Sequence, residues 1–115
     1  MKRDIRVYLD DILDAIASIL EYTRRLSFDE FSKDRKTVDA VIRNLEVLGE
    51  AAKKIPQNVR RKHSEVPWKE MAGMRDVLIH EYFGVKLDVV WKTVKERLPE
   101  LRLLIEEILR TMNEE

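Results

Sequence analysis

Arg75, His80 and Tyr82, spaced Arg-x4-His-x-Tyr, are the residues of this sequence best suited to chemistry. They sit in the stretch Arg-Asp-Val-Leu-Ile-His-Glu-Tyr-Phe-Gly, from Arg75 to Gly84. An imidazole titrates near neutral pH, so it can take a proton from a hydroxyl or return one to a leaving oxygen. A guanidinium offers fixed donors to nonbridging phosphate oxygens as charge develops on them. Together they match phosphodiester cleavage without a metal. RNA is the natural substrate, because its 2′-hydroxyl serves as an internal nucleophile. Asp76 is a candidate to orient His80 or Arg75, and Tyr82 to donate to phosphate or stack on a base. One His beside carboxylates lacks the paired His or Cys of a strong metal signature, so no metal ligand is expected. A Ser-His-Asp hydrolase is equally unsupported. Taken alone, Arg-x4-His is a short pattern that arises often by chance, and a solvated polar cluster is its plainer reading.

The spacing also poses a geometric problem. At 100° per residue, Arg75 and Tyr82 return to within about 20° of each other on a helix, whereas His80 points about 140° away from Arg75. Two arrangements bring imidazole and guanidinium to one substrate. Either the helix loosens near His80, as Gly84 permits, or a second copy of the chain completes the site.

The elements that must position this stretch read as helices. The 115 residues are one domain's worth of chain, 38% charged and 44% hydrophobic with three Gly and three Pro. That composition fits an all-α bundle of about four or five helices, up and down, and argues against a turn-rich β fold. A single domain over residues 1–115 is expected. With no cysteine, disulfides, thiolate metal sites and a Cys nucleophile are excluded. No leader pattern and no apolar run long enough for a bilayer is seen, so a soluble, cytoplasmic protein is expected.

Apolar residues from Ile5 to Leu26 follow the i, i+3, i+4 spacing of a first long helix. Ser27 and Glu30 form a Ser-x-x-Glu capping box that opens a second helix, with room for a break at Ser32 to Asp34, after which Val38 to Ile55 continue the stripe up to Pro56. Gly49 within that stripe costs about 1 kcal/mol relative to Ala, so close approach by another group is expected there. Either a helix crossing or an accessible backbone accounts for it. Glu50 beside it is a candidate supporting group for a site. Pro67 suits the first position of a third helix, with Trp68, Met71 and Leu78 buried and Gly84 as its stop. From Leu87 a last helix runs on, and Pro99 either kinks it or opens a new one.

Net charge is zero, which disfavours a nonspecific polyanion binder. Residues 53–75 nevertheless carry seven Lys/Arg against two Glu. This run offers Lys53, Lys54, Arg60, Arg61 and Lys69 as candidate RNA contacts, while a solvated face is the other reading. His63 within it reads as a surface residue.

Beyond these single residues, the chain resembles the HEPN (higher eukaryotes and prokaryotes nucleotide-binding) superfamily, in its HepT-like branch. The resemblance rests on Arg75-x4-His80-x-Tyr82, on Asn44 to Pro56, on Val66-Pro67-Trp68, on Gly73-Met74 and on Val90-Trp91, all in the family's order and spacing. It implies a homodimeric α-helical bundle whose two motifs face a shared cleft. It also implies a metal-independent ribonuclease, needing no cofactor, that acts as the toxin of a type VII-like toxin–antitoxin pair. Arg75 and His80 would be catalytic, with Asp76 supporting them. Tyr82 would be the hydroxyl to which the antitoxin, a small nucleotidyltransferase of the MNT type, transfers AMP from ATP. A larger hetero-oligomer with that antitoxin is compatible with the resemblance, and neither DNA nor membrane is an expected partner. The alternative is a noncatalytic helical partner that binds nucleotide or substrate for the nucleotidyltransferase.

Overall fold

The computed structural model of the chain describes residues 4–80 and 84–114, which contain helices and no strand. Four rods make the bundle: α1 (Ile5–Thr23), α3 (Arg35–Lys53), α5 (Trp68–His80), and a run from α6 (Leu87–Lys92) through a π-helical turn (Thr93–Arg97) into α7 (Leu98–Glu114). Two short helices, α2 (Phe28–Lys33) and α4 (Gln57–Lys62), join the first three rods.

Local chemistry starts and stops these elements. Asp4 caps α1 by accepting from the Arg6 amide at 2.8 Å. The Ser27 capping box is complete, with Ser27 Oγ accepting from Glu30 N at 3.1 Å and Glu30 Oε1 from Ser27 N at 3.0 Å. The expected break falls at Asp34, which ends α2 and caps α3 by accepting from Thr37 N at 3.1 Å. Pro67 stands one residue before α5 rather than at its first position, and its carbonyl accepts from Met71 N at 3.0 Å. The Trp68 indole donates to the His63 carbonyl at 3.0 Å and pins the start of α5 to the preceding loop.

Pro99 lies in the first turn of α7, where its ring opposes the carbonyl of Lys95, four residues earlier. The wider turn over Thr93–Arg97 accommodates that ring without breaking the run. The expected joint is therefore a local loosening within one continuous helical path. Gly84 carries no positive φ, so it does not act as a left-handed cap as its place in the sequence suggested.

The core is a single apolar cluster. Leu9, Ile12, Ile16 and Ile19 of α1 meet Val41, Leu45 and Leu48 of α3, and Val94, Leu98, Ile105 and Ile108 close it from the last run. Phe31 of α2 is fully buried, with its ring centroid 5.0 Å from that of Trp91. Lys95 ties the π turn to α1 by donating to the Thr23 carbonyl at 3.1 Å while lying 4.6 Å from the Trp91 ring centroid. Among the described residues, no helix is long and apolar enough to cross a membrane.

For the site, the decisive contact is the crossing of α3 and α5. Gly49 is buried there. A Cβ placed on it would lie 2.3 Å from Cβ of Arg75 and 2.8 Å from the Met71 carbonyl oxygen. Of the two readings of Gly49, the helix crossing holds, and the residue that takes up the freed space is Arg75. Met71 and Leu78 bury the same face of α5.

Gly49→Ala is expected to lose stability despite Ala's better helix propensity. The added methyl meets backbone and must push the helices apart, at about 1–3 kcal/mol for an overpacked contact. Urea denaturation checks this; a variant more stable than wild type contradicts the crossing as described.

Candidate active site

Arg75 leaves the Gly49 crossing with its side chain 26% exposed, and two acids meet its guanidinium. Its Nε lies 3.1 Å from Glu50 Oε2, across the crossing on α3. Its Nη1 donates to Asp76 Oδ1 at 3.0 Å. Each acid has a second cation. Lys53 Nζ donates to the same Asp76 oxygen at 3.2 Å, and Lys54 Nζ lies 3.9 Å from Glu50 Oε1. Together they form a chain of alternating charge, Lys54, Glu50, Arg75, Asp76, Lys53, carrying three cations and two anions.

The acids of these pairs are about half exposed, so solvent screens them and each pair adds little to stability. Their effect is on direction. The hydrogen bond from Arg75, followed by the one from Lys53, holds the Asp76 carboxyl below the ordinary aspartate range. Asp76 is therefore an anion throughout neutral pH, paired with the arginine beside it.

Arg75 lines a cleft of about 310 Å³ between α1, α3 and α5, together with Tyr8, Asp11, Arg43, Glu46, Glu50 and Lys54. Tyr8, Asp11, Arg43 and Glu46 were not legible as site residues. Asp11 in particular occupies the face of α1 that reads as solvent-directed, and only the packing of α1 on α3 beside α5 brings it here. Acids and bases on the cleft wall are equal in number, so its field is close to neutral. What the cleft offers an anion is the placement of Arg75 rather than bulk positive potential.

His80 is exposed at the last described turn of α5. The helix is regular from Arg75 to His80, so no loosening within that span redirects the imidazole, and the two side chains leave the helix about 140° apart. Val77, 51% exposed, lies on the outer face near His80, and Asp76 falls between the two directions. Tyr82 lies outside the described residues.

The basic run divides. Lys53 and Lys54 join the Arg75 network. Arg60 is half-buried and donates to the Ala52 and Ile55 carbonyls at 2.8 and 3.0 Å, so it satisfies the open end of α3. Arg61 and Lys69 are exposed on α4 and α5. His63 is partly buried, its Nδ1 3.7 Å from Glu65 Oε1. Among the described residues, no three of His, Cys, Asp and Glu gather as a metal site requires.

Residues 12–108 match the family model described as Ribonuclease HepT-like. The chain is 56% identical over 102 residues to a probable ribonuclease HepT of Thermococcus cleftensis, covering 89% of this chain and 93% of that one. It is 46% identical over 114 residues to a chain of Methanocaldococcus jannaschii, covering 99% and 94%, and 48% identical over 105 residues to one of Caldanaerobacter subterraneus, covering 91% and 94%; both are named provisionally as RNases. No solved structure matches.

Arg60→Ala is expected to destabilise the fold by about 1–2 kcal/mol, as two carbonyls at the end of α3 lose a charged donor; an unchanged denaturation midpoint contradicts that role. In an NMR titration, Asp76 should have its midpoint below the ordinary aspartate range and move up in Arg75→Ala. Because its folded value is depressed, the Arg75–Asp76 link contributes above the unfolded pKa and is lost as pH falls through the folded one. An Asp76 midpoint at or above the ordinary range contradicts the link.

Proposed function

This chain belongs to the HepT-like ribonuclease family, and we propose that it is a metal-independent endoribonuclease with Arg75 and His80 as its catalytic residues. The observation that carries the reading is Arg75, which lines the cleft and is paired with acids from two helices. In the reaction, a ribose 2′-oxygen bonds to the adjacent phosphorus while the bond from phosphorus to the 5′-oxygen breaks. An imidazole takes the 2′-hydroxyl proton and a protonated imidazole supplies one to the leaving oxygen. Arg75 stabilises the charge that builds on the nonbridging oxygens. No cofactor is needed.

The working unit we propose is a homodimer. The divergence of Arg75 and His80 on one regular helix supports it, since a second copy can set its own His80 or Arg75 against the first. Exposed Val77 beside His80, with exposed Val89 on α6, supplies apolar surface on this side of the molecule.

We further propose that the protein is the toxin of a type VII-like toxin–antitoxin pair acting in the cytoplasm. Its antitoxin is a small nucleotidyltransferase that modifies Tyr82. The Tyr82 oxygen attacks the α-phosphorus of ATP, pyrophosphate leaves and the phenolic proton is released. Support comes from the intact Arg-x4-His-x-Tyr spacing. The attached AMP is bulky and anionic, so it would obstruct the site and repel an RNA phosphate.

Purified, unmodified protein is expected to cut RNA in the presence of EDTA. His80→Ala should reduce the rate about 100- to 10,000-fold, and Arg75→Ala about 100- to 1,000-fold. Failure of the unmodified protein to cleave, or full activity in His80→Ala, overturns the proposal. Intact mass reports whether Tyr82 carries AMP.

A further inference from the structure

We propose that Glu50 is a positioning residue for the same reaction, fixing Arg75 from outside the motif; the inference rests on the ribonuclease reading. A guanidinium on a long side chain must be held at more than one nitrogen if its plane is to stay aligned with a phosphate. Asp76 holds Nη1, but Asp76 is the next residue on the same helix and moves with Arg75. Glu50 faces Nε from α3 as an ion pair, its Oε2 3.1 Å away, and so ties the guanidinium to the rigid part of the bundle. Among the described residues, the ion-pair contacts of the two acids fall on Nε and Nη1, and we assign Nη2 to a phosphate oxygen.

The local construction serves this geometry. Gly49, immediately before Glu50, lets α5 approach until Cβ of Arg75 occupies the place of a missing side chain. Glu50 therefore starts from a backbone already pressed against the arginine, and a short reach suffices. Lys54 faces the other oxygen of Glu50 at 3.9 Å, and Lys53 faces Asp76 at 3.2 Å. With these two cations included the cluster keeps a net positive charge, so the acids orient Arg75 without cancelling its attraction for an anion.

The test compares steady-state RNA cleavage in EDTA by wild type, Glu50→Ala, Glu50→Gln and Arg75→Ala, with Glu107→Gln as an exposed ion-pair control on α7. Glu50→Ala is expected to lower kcat about 10- to 100-fold, the cost of a misplaced catalytic group, with KM little changed. Glu50→Gln, which keeps the size of the side chain but removes the charge of the ion pair, should lose rate as Glu50→Ala does. In the Arg75→Ala background, Glu50→Ala should cost nothing further, and thermal midpoints should match wild type throughout. Wild-type kcat in Glu50→Ala, or an equal loss with and without Arg75, overturns the positioning role while leaving the ribonuclease reading intact. RNA left uncut by the wild type overturns the ribonuclease reading and the role of Glu50 with it.

Discussion

The contact on which the site depends is the close crossing of α3 and α5 at Gly49. A side chain there would place its Cβ 2.3 Å from Cβ of Arg75, closer than carbon atoms approach without bonding. Leaving it out lets two helices meet nearly backbone to backbone, with Arg75, the arginine proposed as catalytic, at the crossing. The base of Arg75 is thereby locked into the packing, while its tip emerges into the cleft. Met71 and Leu78 hold α5 down on either side, and the Trp68 indole secures its start. The small destabilisation of a glycine within a helix is offset by the burial this approach allows.

The same crossing sets the electrostatics. It brings Glu50 to Nε and leaves Lys53 and Lys54 at the end of α3 to face the two acids. The result is an arginine steered by its surroundings within a cleft of nearly balanced charge. A balanced cleft of this kind exerts little long-range pull on a polyanion, in keeping with the chain's zero net charge. His80 belongs to the other half of the problem. It stands exposed at the far end of a regular helix, facing away from Arg75, which in the proposed dimer makes each chain half of a site.

Much of this was readable in the sequence where a residue type has a single physical purpose. Ser27 and Glu30 announced a helix start, because that pair at that spacing satisfies the free donors of a first turn. Gly49 announced a close approach, because a helix gains nothing from a glycine unless something must come near. The helical stripes did the same for the core, including Thr23, whose buried hydroxyl donates to the Ile19 carbonyl, while Ala15 joins it through packing alone. Arg60 was less transparent, since a run of basic residues does not say which guanidinium is turned inward to cap a helix. Asp11, Arg43 and Glu46 were invisible for a related reason: the helical pattern that marks them as outward-facing holds no information about which neighbouring rod makes a cleft beside them. Pro99 was legible as a perturbation, but whether a helix breaks or widens to a π turn depends on what packs around it. The HepT-like resemblance carried the step from a weak three-residue pattern to a named chemistry, which geometry alone does not reach.

The central claim, that one chain supplies half of a shared site, is tested most directly by mixing Arg75→Ala and His80→Ala chains under conditions that allow subunits to exchange. Neither variant alone should cleave RNA appreciably. If the site is completed across two chains, the mixture regains activity, about a quarter of wild type when exchange is random and one of the two sites in each mixed dimer is whole. A mixture as inactive as its parents, with mixed dimers shown to be present by mass, would contradict a site shared between chains.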